Sequence, residues 1–122
     1  MSAFEFQLFD PKQRKLQFQT RNGEVRTGEI LAAKELQTAK FVLIGISENV
    51  GPQANLGRAG SENAFRAFMK VFLNTQFYAQ SGIQNLAYLG NIQQIKDPQD
   101  RPEAMEMVRE LDDLLLNVLN EH

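Results

Sequence analysis

The chain has 122 residues, of which 43% are hydrophobic and 23% are charged, and its formal net charge is −2. This length and composition suit one compact soluble domain with a modest core. The sequence contains no cysteine, which excludes a disulfide framework and a thiolate metal site and is compatible with a cytoplasmic location. No apolar run approaches the roughly 18 residues of a membrane span, and the first residues lack the pattern of a secretory signal. We therefore expect no membrane partner.

Charge is distributed unevenly along the sequence. Residues 1–40 carry seven Lys/Arg and five Asp/Glu, residues 41–96 carry four and two, and residues 97–122 carry two and eight. The acidic residues are therefore concentrated in the C-terminal segment. No segment combines a basic cluster with interleaved aromatic residues, so no nucleic-acid partner is expected.

The first forty residues give the weakest structural signals. Apolar and polar residues alternate over 16–20, which predicts a half-buried strand. The dipeptide Asn22-Gly23 predicts a tight turn, because both residues tolerate positive φ. After this turn, a short hairpin returning through Val25 and Thr27 is one interpretation of the sequence. The segment from Glu29 to Leu36 predicts a short helix.

The clearest signal begins at residue 41. Phe41 to Ile46 is a continuous apolar run, too short for a buried helix and typical of a strand covered on both faces. A polar loop comes next, longer than most α/β connections, and loops of this length are often functional. Ser61 is the predicted N-cap of the next helix, with Glu62 in its first turn. One face of that helix, expected to run for about sixteen residues at helical spacing, is apolar: Phe65, Phe68, Met69, Phe72 and Leu73.

The rest of the sequence predicts a second strand and a final helix. Asn85 to Gly90 predicts the strand, which would complete a parallel, right-handed βαβ unit. Asp100 and Glu103 form a predicted capping box at the start of the last helix. The apolar face of that helix consists of Val108, Leu111, Leu115 and Val118, widened by Leu114 and Leu119.

These elements predict an α/β fold class with a small parallel sheet. We expect residues 1–122 to form one domain, in which an extension with a short strand and helix (1–40) precedes a βαβα unit (41–122). A further strand would normally come after such a unit, and a sheet of two strands is marginally stable. The sequence therefore predicts the N-terminal part of a larger fold, and a fragment of that kind is expected to self-associate through its unpaired edge and bare apolar faces.

Two groups of residues are of the types that can ligate a metal. His122 is the one histidine of the sequence, and a metal hydrolase usually needs several imidazole or clustered carboxylate ligands. Four carboxylates recur on one stripe of the last helix, which we interpret as a solvated face: Glu103, Glu106, Glu110 and Asp113. The sequence therefore predicts no metal ligand and no catalytic residue in this chain.

The loop from Gly51 to Ser61 is the candidate binding segment. Its glycines allow backbone N–H groups to converge, and it leads into a helix N-terminus, where an anion is favoured. Arg58 adds a planar fork suited to a carboxylate or a phosphate. The loop has neither the lysine and spacing of a P-loop nor a GxGxxG motif. Two interpretations remain open: an anion-binding loop, or a structural turn in which Arg58 pairs with a local carboxylate such as Glu48.

The segment IGISENVGPQANLGRAGSENAFRAFMKVFLNTQ resembles the N-terminal region of formimidoylglutamase-like proteins of the arginase/agmatinase (ureohydrolase) superfamily. The family pattern has an apolar strand, Gly-(Ile/Val)-Pro-Glu-Asp-(Ile/Val)-Gly, then Ala-Asn-x-Gly-Arg-Pro-Gly, then an Ala-Phe-Leu…Phe-Leu-Asn-x-Gln helix. The matching residues are Gly45, Glu48, Gly51, Ala54, Asn55, Gly57, Arg58, Gly60, Ala67, Phe68, Phe72, Leu73, Asn74 and Gln76. Upstream, Arg21-Asn22-Gly23-Glu24 and Gly28-Glu29 also resemble the family's opening segment. The departures are Ser47 for proline, Asn49 for aspartate and Ala59 for proline.

This resemblance implies a three-layer α/β/α fold and a hydrolase whose two manganese ions hold the hydroxide that attacks an amidine or guanidine carbon. The metal ligands of the family lie in Gly-Gly-x-His, Asp-x-His-x-Asp and Asp-x-Asp motifs, and none of these motifs occurs in this sequence. The chain alone is therefore expected to be catalytically incomplete. Its expected partner is the remainder of a parent polypeptide, and that parent is expected to bind a small acidic or amidine substrate. In that parent, one hypothesis is that Asn55, Gly57 and Arg58 shape the substrate entrance or hold a substrate carboxylate. The equally open alternative is that Asn55 and Arg58 fix the loop and pack it on the next strand.

These patterns support three interpretations of function. The first is the incomplete front part of a C–N hydrolase, for which formimidoylglutamate, arginine and agmatine are the alternative substrates. The second is a stand-alone protein-interaction module that kept the same fold. The third is a small anion-binding module that takes a phosphate or carboxylate at residues 57–62.

Overall fold

The computed structural model describes residues 2–12 and 15–122, which form a mixed α/β structure. Its strands are Phe4–Leu8 (β1), Phe41–Ser47 (β2) and Leu86–Gln94 (β3), and its α-helices are Thr27–Ala33 (α1), Val50–Ala54 (α2), Ala64–Phe72 (α3) and Arg101–Glu121 (α4). Single 3-10 turns occupy Leu36–Thr38, Ser61–Asn63, Ala79–Ser81 and Ile83–Asn85. None of the helices in this described part of the chain has both the length and the apolar character needed to cross a membrane.

The three strands form one mixed sheet in the order β1-β3-β2. The N–H of Ile95 donates to the carbonyl of Ala3 and the N–H of Phe9 to that of Leu89, both at 2.8 Å, so β1 runs antiparallel to β3. The N–H of Lys40 donates to Asn85 at 2.8 Å, at the point where β2 and β3 both begin. The parallel strand–helix–strand unit is confirmed, but the prediction of a purely parallel sheet is wrong because β1 joins the opposite edge of β3.

The predicted strand at residues 16–20 is not formed, since this segment has no regular secondary structure. The N–H of Gln19 donates to the side-chain oxygen of Asn74 at 2.9 Å instead of to a neighbouring strand. The ring of Phe18 lies against Gly28, so closely that a Cβ at that glycine would sit 2.5 Å from the ring. The turn at Asn22-Gly23 is confirmed, with Gly23 at φ 79°, while the helix begins and ends earlier than predicted, at Thr27 and Ala33.

The helix after the long loop is shorter than predicted. It spans nine residues, Ala64–Phe72, and side chains cap its last turn: Asn74 Nδ2 donates to the Lys70 carbonyl at 2.8 Å and Thr75 Oγ1 to the Phe72 carbonyl at 2.7 Å. Within its predicted apolar face Met69 and Leu73 are buried, whereas Phe68 is 46% exposed. The helix therefore ends where polar side chains satisfy its free carbonyls.

The described chain divides into two compact units. The first comprises residues 2–7, Gly45–Phe65 and Asn91–His122, and the second comprises Leu8–Ile44 and Arg66–Gly90. The core of the first unit is formed by Ala3, Phe4, Val50, Ile92, Met107 and Leu111. The buried apolar side chains of the second are Leu31, Met69, Leu73, Ala87 and Leu89.

The last helix agrees closely with the prediction. Asp100 is its N-cap and accepts a hydrogen bond from the N–H of Glu103 at 2.8 Å. The predicted capping box is only half formed, because Glu103 Oε2 accepts the N–H of Gln99 at 3.4 Å and not that of Asp100. Leu111 and Val118 are buried as expected, but Leu119 is 55% exposed, so it does not widen the apolar face. Ala104 and Met107 are buried on this helix as well, which extends the packed face toward its N-terminus.

Candidate functional site

The loop after β2 contains a helix of its own. The sequence predicted an unbroken polar loop, but Val50–Ala54 forms the short helix α2, which packs against α4. Val50 is fully buried and provides the apolar anchor of this helix. The Nε of Arg101, at the start of α4, donates to the carbonyl of Ala54 at 2.8 Å. The buried Val50 side chain and the bond from Arg101 therefore hold the first part of the candidate loop in place.

Asn55 and Gly57 belong to the turn that ends α2. The N–H of Asn55 donates to the carbonyls of Gly51 and Pro52 at 3.2 and 3.1 Å, and the N–H of Gly57 donates to that of Pro52 at 2.6 Å. A Cβ at Gly57 would lie 2.9 Å from the same Pro52 oxygen, so the close return of the chain requires glycine here. Leu56, between them, has φ 64° and is 79% exposed.

Arg58 comes after this turn and has an exposed side chain. Within residues 2–12 and 15–122, its guanidinium forms no ion pair and no hydrogen bond. The carboxylate of Glu48, its predicted partner in the structural interpretation, instead accepts the N–H of Gly51 at 2.8 Å. The structure therefore leaves the Arg58 guanidinium available to solvent.

The next helix N-terminus is capped from within the chain. Gly60 has φ 134°, and its N–H donates to Glu62 Oε2 at 2.7 Å. Ser61, predicted as the N-cap, lies inside the 3-10 turn, and its hydroxyl donates to the Glu48 carbonyl at 2.6 Å. The N–H groups of Glu62 itself and of Gly60, with the Asn49 side chain, hold the pKa of the Glu62 carboxyl below its ordinary value. The carboxylate of Glu62 thus accepts hydrogen bonds from the backbone N–H groups that an external anion would need as donors.

A small polar cavity of about 200 Å³ lies in the first unit at the carboxyl ends of β2 and β3. Its walls are formed by Asn49, Glu62, Gln93, Gln94, Ile95, Lys96 and Asp97. Open α/β sheets bind ligands at this edge. Neither Asn55 nor Arg58 lines the cavity, so the structure separates it from the predicted site residues.

Asn49 and Gln94 form the rigid wall of this cavity. Asn49 is 5% exposed, and its N–H donates to Gln94 Oε1 at 2.8 Å. Gln94 Nε2 returns a bond of 2.8 Å to Asn49 Oδ1, which also accepts from Gln53 Nε2 at 2.9 Å. Sequence reasoning missed Gln94 because it ended the second strand at Gly90. The feature of the sequence that could have pointed to this site is the amide pair Gln93-Gln94, which lies in the part of the strand beyond Gly90.

The acidic stripe of α4 is only partly a solvated face. Glu106 and Asp113 are exposed, as predicted. Glu110 is half-buried instead, and it accepts hydrogen bonds from Ser2 Oγ at 2.5 Å and from the N–H of Ala3 at 2.8 Å. Glu103 Oε1 lies 3.7 Å from Lys96 Nζ. Two of the four carboxylates therefore fix this helix to other parts of the first unit.

No group of three or more His, Asp or Glu side chains within the described residues converges in a way that could hold a metal ion. His122 is exposed, and its ring centroid lies 5.9 Å from that of Phe6. The described residues therefore do not fit the two-manganese centre that the resemblance implies for a parent protein. Comparisons with protein-family models, with curated proteins and with solved structures give no match.

Proposed function

We propose that this chain is the N-terminal portion of a metal-dependent ureohydrolase-like protein of the formimidoylglutamase/arginase type, with an arginase-like α/β/α fold and a cytoplasmic location. The parent hydrolyses a C–N bond of an amidine or guanidine substrate. The chain supplies a rim of the substrate site and no catalytic residue. Support comes from the motif sequence over residues 45–76 and from the parallel pair β2 and β3 around that motif.

The observation on which the proposal depends most is that the Arg58 side chain is exposed and unpaired within the described residues. Its guanidinium is exposed and forms no bond within the described residues, while the preceding turn is held by the 2.6 Å bond between Gly57 and Pro52. A guanidinium on a loop that hydrogen bonds hold in place is suited to bidentate binding of a substrate carboxylate. Asn55, also exposed, offers an amide three residues earlier in the chain.

The two manganese ions of the proposed parent are assigned to other residues. The family motifs with histidine and aspartate ligands do not occur in these 122 residues, so no step through a metal is assigned to this chain. Its own contribution is to orient the acidic end of the substrate at the loop after β2.

The test is a substitution in the full-length parent. Arg58→Ala is expected to raise KM for an acidic substrate about tenfold, as for the loss of one charge-assisted hydrogen bond pair, with manganese content unchanged. Arg66→Ala is the matched control, because Arg66 is an exposed arginine on α3. An unchanged KM in Arg58→Ala would reject the assigned role of this residue.

A second candidate function is a stand-alone protein-interaction module, and one observation favours it. Strand β2 exposes Phe41, Val42 and Ile46 at 64%, 45% and 38%, and exposed apolar side chains on a strand at the edge of a sheet are a feature that interfaces between proteins use. A stand-alone module that binds an anion is less favoured, because the Glu62 carboxylate already accepts the hydrogen bond of the Gly60 N–H.

Two measurements separate these candidates. Continuation of the reading frame after His122 into a Gly-Gly-x-His motif supports the hydrolase portion, and a natural stop codon supports the module. Titration of the chain with inorganic phosphate or acetate, monitored by the NMR shifts of residues 57–62, tests the anion-binding version. Unshifted signals would exclude it.

A further inference from the structure

Helix α4 has a second apolar surface, on a side that does not pack into the core. Met105, Leu116 and Leu119 are 42%, 58% and 55% exposed. At 3.6 residues per turn, these three side chains fall within about 60° of one another around the helix axis. A helix that packs through one face normally presents polar side chains elsewhere. The core side of α4 is a separate set: Ala104, Met107, Leu111 and Val118.

Two opposite charges lie on this second surface, between Met105 and Leu116. They belong to Arg109 and Asp112, whose side chains are exposed, and neither forms an ion pair with any residue that the structure describes. The four residues follow one another at spacings of four, three and four, as in the seam along which two helices pack side by side. We call this set the α4 stripe: Met105, Arg109, Asp112 and Leu116, in the order apolar, basic, acidic, apolar.

We infer that the α4 stripe binds the α4 stripe of a second copy of the chain, with the two helices antiparallel. Read in the opposite direction, the stripe is apolar, acidic, basic, apolar, which complements the original order at every position. Met105 then faces Leu116 of the second copy, and Arg109 faces Asp112 of the second copy. A two-fold axis relates the copies, so each of these contacts occurs twice.

The charges select this orientation and this register. Parallel helices would place Arg109 opposite Arg109 and Asp112 opposite Asp112. Sliding the antiparallel pair by three residues brings the two arginines together in one direction and the two aspartates together in the other. Like charges that face each other across an interface are unfavourable. Exposed ion pairs contribute little to affinity, so the charges determine the geometry and the apolar contacts supply most of the affinity.

A second copy is the occupant that this surface fits, because the order of side chains along it is self-complementary. Leu119 lengthens the contact in the same register, in which it faces the exposed Pro102 of the second copy. Every residue involved belongs to α4 and therefore to the first compact unit, so one rigid element provides the whole surface. This inference does not rest on the ureohydrolase proposal.

Charge reversals test the partner and the register. The 122-residue chain is expected to sediment as a dimer, at twice its mass of 13.9 kDa. Arg109→Glu and Asp112→Lys each place like charges opposite one another twice, and each variant alone is expected to raise the dimer Kd about tenfold. An equimolar mixture restores both opposite-charge pairs, so it should form a heterodimer with a Kd near that of the unmodified chain. Glu106→Lys, at an exposed position of α4 outside the stripe, is the matched control and should leave the Kd unchanged.

Cysteine cross-linking tests the orientation, since the chain has no cysteine of its own. Met105→Cys and Leu116→Cys alter positions that face each other in the antiparallel pair, so oxidation of an equimolar mixture is expected to give a disulfide-linked heterodimer. Neither variant alone should cross-link, because each position lies about 16 Å along the axis from its own counterpart, beyond the span of a disulfide. Circular dichroism of each variant verifies that it is folded, so a folding failure is distinguished from a loss of pairing.

Three outcomes would overturn the inference. One is a monomer at high protein concentration. Another is a dimer whose Kd ignores the charge reversals and their mixture, which would place the contact elsewhere. The third is efficient cross-linking of each cysteine variant with itself and not with the other, which would mean that the helices pair in parallel.

Discussion

Asn49 and Gln94 are joined by two hydrogen bonds of 2.8 Å, one from the Asn49 N–H to Gln94 Oε1 and one from Gln94 Nε2 to Asn49 Oδ1. They connect the residues just after β2 to the end of β3. The Asn49 N–H is the donor that a helix entry would otherwise leave without a partner. Gln94 Nε2 also donates to the Lys96 carbonyl at 2.8 Å. The Gln94 side chain therefore connects two residues that line the cavity, Asn49 and Lys96.

The first prediction concerns this amide pair. Gln94→Leu removes the partner of a buried backbone donor, and it is expected to lower the free energy of unfolding by about 1–3 kcal/mol. Gln93→Leu is the matched control, because the Gln93 side chain makes only longer contacts of 3.2 and 3.4 Å. Urea unfolding measures both variants. Equal losses would show that the Asn49 pairing is not the cause.

The second prediction concerns the return of the chain at Gly57. Gly57→Ala places a methyl group 2.9 Å from the Pro52 carbonyl oxygen, a backbone atom that cannot move without breaking the turn. We expect a loss of about 1–3 kcal/mol in the free energy of unfolding, as for overpacking elsewhere, together with altered NMR shifts at Arg58.

The control for this turn is Gly51→Ala, in the adjacent helix α2. Its Cβ would lie 3.5 Å from the Glu48 carboxylate, an ordinary contact. Alanine is favoured over glycine in a helix by up to about 1 kcal/mol, so this variant is expected to be neutral or more stable. A destabilisation equal to that of Gly57→Ala would mean that loss of glycine in general, and not the close approach to Pro52, is responsible.

The third prediction concerns the cap of α4. Asp100→Ala removes the side chain that accepts the Glu103 N–H at 2.8 Å, and N-cap losses of this kind cost about 0.5–2 kcal/mol. Asp97→Ala, an exposed aspartate outside the helix, is the matched control. Thermal unfolding monitored by circular dichroism compares the two. A lower midpoint in the control alone would contradict the assignment of the cap.

Local signals in the sequence were sufficient for β2, for the parallel β2–β3 unit and for the Asp100 cap. Each depends on residues close together in the chain: an apolar run, a strand–helix–strand order, and a side chain three residues from its target. The Asn-Gly turn at Asn22-Gly23 belongs to the same class. Such features are decided by backbone geometry and short-range hydrogen bonds, which the sequence displays directly.

The features that sequence reasoning missed depend on partners far away in the chain. Strand β1 shows period-two alternation at Phe4, Phe6 and Leu8, but what makes it a strand is pairing with β3, as in the bond from Ile95 to Ala3. Residues 16–20 show similar alternation but form no strand, and the Gln19 N–H donates to the Asn74 side chain. Alternation alone does not distinguish the two cases.

The candidate site divides in the same way. The turn at Asn55 and Gly57 is held by hydrogen bonds to Gly51 and Pro52, only a few residues away, but it was not predicted, because the sequence indicated an unbroken loop there. The use of the Gly60 N–H by Glu62, and the pairing of Asn49 with Gln94, require the folded arrangement. The exposed state of Arg58 depends likewise on where Glu48 points, since its carboxylate bonds to Gly51 instead.

The fourth prediction concerns Glu110, which joins α4 to the N-terminal segment. The hydroxyl of Ser2, and after it the N–H of Ala3 and the charge of Lys96, hold the pKa of the Glu110 carboxyl below its ordinary value. A carboxyl whose pKa is lower in the folded state contributes stability above its unfolded pKa, and this contribution disappears as the pH falls through the folded pKa. Glu110→Gln is therefore expected to be less stable than the unmodified chain at neutral pH. The control is Glu106→Gln, since Glu106 is exposed one turn earlier on the same helix.

Urea unfolding across the acid range measures this effect. The difference in the free energy of unfolding between the unmodified chain and Glu110→Gln should be constant near neutral pH, because both folded and unfolded carboxyls are ionised there. It should shrink below the ordinary pKa of glutamate and reach its minimum below the folded pKa of Glu110. Glu106→Gln should show a smaller difference with a weaker dependence on pH. A difference for Glu110→Gln that persists unchanged at the acid end would mean that shape and packing at position 110, and not the ionised carboxylate, stabilise the junction with Ser2 and Ala3.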